Sequence, residues 1–131
     1  MRRVVYGSRM ARIRNRVTPT LVPGATANTP GPVEVLVATQ GWVILHQVSA
    51  TFGGTFGSET ATVTVTATFS DGQTTVWTIA AAASGTSGNS SNDLASLMRD
   101  NTHIAQLSFT LQSSIAGSQV TATARVVATE V

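Results

Sequence analysis

The stretch TATVTVTATF at residues 60–69 decides the fold class, because threonine occupies every second position along it. Alanine, valine and phenylalanine fill the positions between, so an extended chain here has one apolar side and one hydroxylated side. Successive side chains of a β-strand point to opposite faces, and strict alternation therefore predicts a strand with one face in a core. Threonine suits the other face, since its β-branch favours strands and its hydroxyl tolerates water.

The same alternation recurs on both sides of this stretch and predicts further strands. Asp71-Gly72 follows it directly and is a hairpin signal before the run at 74–81. The other predicted strands cover residues 33–37, 42–52, 103–112 and 119–130. Their inward side chains are predicted to be Trp42, Ile44, His46, Val48, Ala50 and Phe52, then Ala105, Leu107, Phe109 and Leu111, and finally Val120, Ala122, Ala124, Val126 and Ala128. Six or seven regularly spaced strands predict an antiparallel β-sandwich of jelly-roll or immunoglobulin-like type.

One short helix is predicted within this all-β domain. The polar residues at 84–92 indicate a loop, and Ser91 or Asn92 is a suitable helix N-cap. Leu94, Leu97 and Met98 would then share one face of the helix.

The first part of the chain differs from the rest and predicts a division into residues 1–32 and residues 33–131. Residues 1–32 contain all four prolines and read as an extended arm followed by a Pro/Gly linker. Within the arm, residues 12–17 alternate basic with mostly non-basic side chains, as a strand laid on a surface does. Residues 33–131 form the sandwich.

Charge is scarce and unevenly placed. Charged residues make up 11% of the chain, against about 25% in an ordinary soluble domain. Six arginines precede Glu34, whereas the later chain holds six acids against Arg99 and Arg125, so the two parts carry +6 and −4 and total +2. A basic arm beside an acidic body predicts that the arm docks on an acidic surface.

Nothing in the sequence assembles a catalytic site. Only His46 and His103 could act as imidazole bases, each in or beside a predicted strand, and the serines at 84–88 lack a nucleophile-elbow motif or a lysine partner. Zinc ligation needs three or four Cys, His or carboxylate ligands, and the chain has no cysteine. The weaker calcium alternative would need oxygen ligands that cluster from separate loops, namely Asp71, Asp93, Asp100, Asn89, Asn92 and Asn101. The prediction is therefore no enzyme, no cofactor and no metal.

Two binding hypotheses concern the aromatic and basic residues. Trp42 and Trp77 are the candidate ligand-facing aromatics for a glycan, although both lie in predicted strands where packing is the commoner role. The partner-binding arm is predicted to consist of Arg2, Arg3, Arg9, Arg12, Arg14 and Arg16 together with Tyr6. Apolar residues interleave these arginines, which favours a protein partner over nucleic acid, since arginine and aromatics are enriched at protein interfaces.

The whole chain resembles the small virion proteins of tailed bacteriophages in its Arg-bearing extension at 1–17, its Pro/Gly linker and its Thr/Ala/Val sandwich. That resemblance implies a capsid decoration or cement protein of the virion, trimeric, whose arm clamps neighbouring major capsid subunits. Two alternatives stay open: a glycan- or receptor-binding module of a head fibre or tail, and a coat protein whose basic arm faces the genome. No membrane role is expected, because no apolar run approaches the roughly 18 residues of a membrane span and no apolar segment follows Arg2-Arg3 as in a secretion signal.

Overall fold

The computed structural model describes residues 12–38, 43–83, 89–92 and 104–130. Within these ranges the chain forms strands and turns, with no helix. The strands are β1 (Arg12–Val17), β2 (Glu34–Ala38), β3 (Val43–Thr55), β4 (Thr60–Phe69), β5 (Thr74–Ala83), β6 (Asn89–Asn92), β7 (Ile104–Ser113) and β8 (Gln119–Glu130).

These strands pair as nested antiparallel partners. β4 pairs with β5, β3 with β6, β2 with β7 and β1 with β8. The first four strands therefore pair with the last four in reverse order. β8 also pairs with β3, and β7 with β4. The result is two four-stranded sheets, ordered β1-β8-β3-β6 and β2-β7-β4-β5. The prediction of an all-β antiparallel sandwich is confirmed.

Strand β4 forms as its sequence predicts. Its apolar residues Ala61, Val63, Val65, Ala67 and Phe69 are buried, whereas the threonines at 62, 64, 66 and 68 are partly exposed. The alternating apolar residues of β8 are likewise buried, from Val120 to Ala128. The alanines on the inner face of β8 are small, and the same core includes larger buried side chains such as Phe109 and Leu111 of β7.

The hairpin predicted at Asp71-Gly72 is confirmed and joins β4 to β5. The Gly72 N–H donates to the Phe69 carbonyl oxygen at 2.9 Å, and the Phe69 N–H donates to the Gln73 carbonyl oxygen at 2.9 Å. Gly72 has a φ of 86°, in the left-handed region that glycine adopts without a Cβ clash. This arrangement is typical of a hairpin with a three-residue loop and a glycine bulge.

A β-bulge in β3 makes its inward side chains differ from the predicted ones. The pairing of β3 with β8 shifts between Leu45 and Gln47, so His46 is the extra residue. Leu45 is therefore buried and His46 is exposed, although the sequence places His46 among the inward side chains. A similar shift where β4 meets β7 buries Ile104 and leaves Ala105 only partly covered.

The Pro/Gly linker is attached to the sandwich along much of its length. The Thr18 N–H donates to the Ala124 carbonyl oxygen at 2.9 Å, and Leu21 and Ala122 exchange backbone hydrogen bonds at 2.7 and 3.2 Å. Leu21 is 1% exposed and belongs to the core. The Gly31 N–H then donates to the Leu111 carbonyl oxygen at 2.8 Å, at a point where a Cβ would collide with the Val22 carbonyl oxygen. The described part of residues 1–32 thus pairs with both sheets, which the sequence did not indicate.

The prediction of a short helix is not supported. Ser91 and Asn92, its expected N-cap residues, lie in β6 and pair with Ser49 and Val48 of β3. The short stretch Asn-Ser-Ser-Asn carries no apolar alternation, so only its pairing with β3 makes it a strand. Leu94, Leu97 and Met98 lie outside the described residues.

Candidate functional site

The basic segment at residues 12–17 forms β1, at one edge of the first sheet. The register of β1 with β8 determines on which face of the sheet each β1 side chain lies. Arg14 is opposite Ala128 and Arg16 is opposite Val126, and both β8 residues are buried in the core. Directly opposed residues share a face of the sheet, so Arg14 and Arg16 lie on the side that faces the second sheet. Both arginines are nevertheless exposed, because β1 lies at the rim of the sandwich.

The alternate residues of β1 lie on the outer side of the sheet. Ile13 is 75% exposed and Val17 is 49% exposed, with Asn15 exposed between them. Their opposed partners on β8 are Thr129, Val127 and Arg125. β1 therefore presents arginines on one side and an apolar, polar, apolar series on the other.

The backbone of β1 pairs with β8 along one edge, and its other edge has no strand partner among the described residues. Because the Thr18 N–H donates to Ala124, the pair Thr18 and Ala124 is hydrogen-bonded, and hydrogen-bonded pairs recur at every second residue of an antiparallel ladder. Arg16 and Arg14 consequently direct their backbone groups to β8. Ile13, Asn15 and Val17 direct theirs away from β8, and among the described residues no strand pairs with that side. The candidate site is this edge of β1 with its flanking side chains.

One edge of the second sheet is formed by β2. Glu34 is opposite the buried Phe109, so it takes the inward side of the sheet and is partly exposed there. Val35 is opposite Ser108 on the outer side and is 50% exposed. The second sheet thus carries an exposed valine on its own edge strand, β2.

The outer face of the second sheet differs from β1 because its side chains along β4 and β7 are uncharged. Thr62, Thr64, Thr66 and Thr68 of β4 form a row along it, and all four are partly exposed. Each is opposite a polar residue of β7, in order Gln112, Thr110, Ser108 and Gln106. Hydroxyl and amide groups therefore line this face along β4 and β7, and we call this part the threonine face. Val76 of β5 and Val35 of β2 add exposed apolar side chains beside it.

At one end of the sandwich, Glu59 joins two connections between strands. Its carboxylate accepts a hydrogen bond from the Ser118 hydroxyl at 2.6 Å and another from the Gly57 N–H. The side chain is 5% exposed. These hydrogen bonds, with that from Ser118 the largest cause, hold the pKa of Glu59 below its ordinary value despite the opposing effect of burial. The sequence analysis missed this residue, since an isolated acid between Ser58 and Thr60 matches no motif.

The remaining predicted site residues do not converge. His46 is exposed, and its Nε2 lies 2.6 Å from the Thr129 hydroxyl oxygen. Trp77 is opposite the buried Val65, takes the inward side of β5 and packs partly buried against the core. Arg12 belongs to β1 by its backbone. Arg2, Arg3, Arg9, Tyr6, Trp42 and His103 lie outside the described residues.

The described residues hold neither a metal-binding cluster nor a membrane-spanning helix. No group of three or more His, Cys, Asp or Glu side chains there could hold a metal ion. In the same ranges, no helix has the length and apolarity to cross a membrane.

Comparison with known proteins gives only distant structural likeness. No protein-family model matches the chain, and no curated protein matches it. A solved structure described as "Structure of infectious bursal disease virus Gt strain" contains a chain similar to this one, with a TM-score of 0.46 and 16% sequence identity. The match covers 91% of the present chain and 32% of the viral chain, so the present chain corresponds to less than two thirds of the length of the chain it resembles.

Proposed function

We propose that this chain is a non-enzymatic structural protein of a virus particle. The observation that carries the proposal is the nested strand pairing, β1 with β8, β2 with β7, β3 with β6 and β4 with β5. We assign this order to the eight-stranded jelly roll, an architecture of viral capsid domains and also of lectins and cupins. Immunoglobulin domains instead group their strands as ABED and CFG.

The surface favours a structural role over the other uses of a jelly roll. Cupin chemistry uses a metal held by clustered histidines and carboxylates, and His46 faces solvent on the outer side of β3. Glycan binding uses exposed aromatic side chains beside polar groups, whereas Trp77 packs against the core. The exposed and chemically distinctive feature is the basic edge at β1, which suits attachment to another protein.

Within that role we infer a decoration or cement protein of a tailed-phage type. The arm, with Arg2, Arg3, Arg9, Tyr6 and the arginines of β1, would dock on acidic surface of neighbouring major capsid subunits. Arginine forms charge-assisted and bidentate hydrogen bonds with carboxylates, and several arms of a trimer would add their contacts by avidity. Protein is favoured over nucleic acid as the partner because Ile13 and Val17 interrupt the basic series with exposed apolar surface.

The test is whether the chain is part of a particle. Particles released from infected cells would be purified by density gradient and probed with antibody raised against the chain. We expect the chain to co-sediment with the particles and to be labelled on their outer surface. Recovery solely in the unassembled fraction would overturn the proposal.

Truncation separates the decoration role from its alternatives. Removing residues 1–11 takes away Arg2, Arg3, Arg9 and Tyr6 and leaves β1 in place, and we expect such a chain to fold but to attach to particles more weakly. Unchanged attachment would exclude residues 1–11 from docking, and unchanged attachment of a second variant in which Arg12, Arg14 and Arg16 are also replaced by alanine would exclude the arm as the docking element. A genome-facing coat protein would instead require capsid opening before antibody labelling, and a receptor-binding module would retain glycan binding without its arm.

A further inference from the structure

We propose that the outer face of the first sheet is a second contact surface, whose partner is an acidic protein surface that places a carboxylate against Arg125. The inference rests on the proposed function for where the partner is found. It adds which side of the sandwich meets that partner and which residue anchors the contact. We call this surface the Arg125 face and define it by Val17 of β1, Thr123, Arg125 and Val127 of β8, and Ser49 of β3.

Arg125 lies at the centre of this face, because β8 runs between β1 and β3. Val17 is opposite Arg125 on β1, and Ser49 is opposite it on β3. The pair Val17 and Arg125 is next to the hydrogen-bonded pair Thr18 and Ala124, so it is a non-hydrogen-bonded pair with Cα atoms about 4.5 Å apart. Arg125 is exposed and Val17 is 49% exposed. An exposed basic side chain therefore adjoins exposed apolar surface.

The positive charge of Arg125 is not balanced by an acid on the same face. The outward positions of β8 are the odd-numbered residues from 119 to 129, and none of them is an acid. The outward residues of β1 and β3 in the described ranges include no acid either. After Arg16 the whole chain has two arginines, Arg99 and Arg125, and no lysine. Basic charge is thus scarce outside the arm, and one of its two occurrences lies at the centre of a sheet face.

The threonine face shows that a sheet of this protein meets water without charge. Along β4 and β7, hydroxyl and amide groups such as those of Thr66 and Gln106 are sufficient. The Arg125 face has groups of the same kind at Thr123 and Ser49. A partner of opposite charge therefore accounts for the additional guanidinium better than solubility does. Arginine is enriched at protein interfaces, where its weak hydration and fixed set of donors favour contact.

An acidic protein surface is complementary to the Arg125 face in two respects. A carboxylate above Arg125 would accept charge-assisted hydrogen bonds from the guanidinium. Apolar side chains beside that carboxylate would cover Val17 and, further along β1, Ile13, which is 75% exposed. Nucleic acid would supply the charge and leave these apolar residues uncovered. A second copy of this chain paired face to face at Arg125 would bring two guanidinium groups together, which is unfavourable.

The Arg125 face is continuous with the arm that is proposed to dock. β1 is the last part of the arm, and its outward side chains belong to the same face of the first sheet as Arg125. A partner docked along β1 would reach β8 across one strand spacing, which is about 4.8 Å. The first sheet would then face the partner, and the threonine face, on the outer side of the second sheet, would point away from it.

The first experiment measures entry into particles in competition with the wild-type chain. Cells that produce particles would also express an epitope-tagged copy, and the ratio of tagged to untagged chain would be compared between purified particles and cell extract. We expect Arg125→Glu to lower this ratio in particles by at least about tenfold, because like charges then face each other. Thr66→Glu, the matched control on the threonine face, should lower it by less than about twofold. Equal ratios for the two variants would overturn the proposal.

Folding is controlled in the same series. The purified variants should melt at the temperature of the wild-type chain, since Arg125 is exposed and Thr66 is partly exposed. Arg125→Gln removes the charge without reversing it, and should lower the ratio by a smaller factor than Arg125→Glu does. If Arg125→Gln entered particles as well as the wild-type chain, the charge of Arg125 would have no part in the contact and the proposal would fail.

The second experiment identifies the partner by photo-crosslinking in intact particles. A benzophenone amino acid in place of Thr123 reports on the Arg125 face, and the same group in place of Thr110 reports on the threonine face. We expect position 123 to crosslink to another protein of the particle, within a segment that contains Asp or Glu, and position 110 to give no such product. Crosslinks from position 123 to nucleic acid or to a second copy of this chain would overturn the proposal.

Charge exchange then tests the assigned contact. Replacing the crosslinked Asp or Glu of the partner by arginine should restore the entry of Arg125→Glu and reduce that of the wild-type chain. If entry is not restored, that carboxylate does not face Arg125 and the assignment is wrong.

Failure of this inference is distinguishable from failure of the proposed function. Entry of the wild-type chain together with equal entry of Arg125→Glu would remove the Arg125 face and leave the structural role intact. If the wild-type chain never enters particles, the structural role fails. Crosslinking and charge exchange in whole cells then decide the inference, according to whether position 123 reaches an acidic segment of a protein.

Discussion

Strands β1 and β4 have the same alternating sequence pattern and use it in different ways. In β4 the alternation separates core from solvent, with Val65 fully buried and Thr66 on the threonine face. In β1 the arginines take the side facing the second sheet and the apolar residues take the outer side, yet both sets are exposed. The difference arises from position, since β4 lies between β7 and β5 whereas β1 lies at a rim. Alternation therefore shows that a strand has two faces, and neighbouring strands decide what each face contacts.

The largest effect is expected from charge placed on the inner side of β4. Val65→Asp buries a carboxylate among apolar residues and should lower the free energy of unfolding by about 4 kcal/mol or more. The matched Thr66→Asp, on the threonine face, should change it by about 1 kcal/mol or less. Urea denaturation followed by circular dichroism measures both. Similar losses for the two variants would show that the faces of β4 are not distinct in the way described.

Next in size is the loss of the core side chain in the linker. Leu21→Ala should lower the free energy of unfolding by about 3 kcal/mol, because it removes a buried leucine and leaves a cavity. Val22→Ala is the control, since Val22 is 46% exposed and should lose about 0.5 kcal/mol or less. If Leu21→Ala were as mild as the control, the linker would behave as the unattached extension that the sequence predicts.

A smaller effect is expected at Glu59, and it depends on pH. Hydrogen bonds from Ser118 and Gly57 keep the folded-state pKa of Glu59 below its unfolded value. Its stabilisation is therefore fully present above the unfolded pKa and is lost as pH falls through the folded pKa. Glu59→Gln should lower the melting temperature near neutral pH, by less than Leu21→Ala does, and should flatten the decline at acidic pH. Identical pH profiles of variant and wild type would contradict the role of this carboxylate.

The smallest effect on stability is expected at β1. Arg14→Ala should change the free energy of unfolding by about 0.5 kcal/mol or less, since the side chain is exposed and surface charges contribute little. The same urea denaturation measures it. A loss comparable to that of Leu21→Ala would mean that Arg14 supports the core, and would remove the contrast between β1 and β4.

Strict alternation made much of this fold predictable from sequence. Residues 60–69 and 119–130 carry an uninterrupted period, and their inward side chains are buried as expected. Residues 42–52 were predicted less well, because the extra residue at His46 is set by pairing with β8 and leaves no mark in the alternation. Leu21 and β6 were missed for a related reason. Their structure depends on partners distant in the chain, Ala122 and β3, and not on any local pattern.

The candidate site was only partly predictable. The sequence identified residues 12–17 as a basic strand, and that segment is β1. It could not indicate which side the arginines occupy, because this depends on the register with Ala128 and Val126. Nor could it indicate that β1 is an edge strand among the described residues, because that follows only from the strand order.

Nested pairing also has a consequence for the order in which the chain folds. β4 and β5 are adjacent in sequence and close the shortest loop, after which β3 with β6, β2 with β7 and β1 with β8 each span a loop already shortened by the previous pair. We expect folding to proceed outward from this hairpin. β8 is synthesised after the other seven strands and lies between β1 and β3, so the first sheet cannot be completed until β8 has left the ribosome. During synthesis, β1 therefore remains without its partner strand for longer than any of the other seven strands.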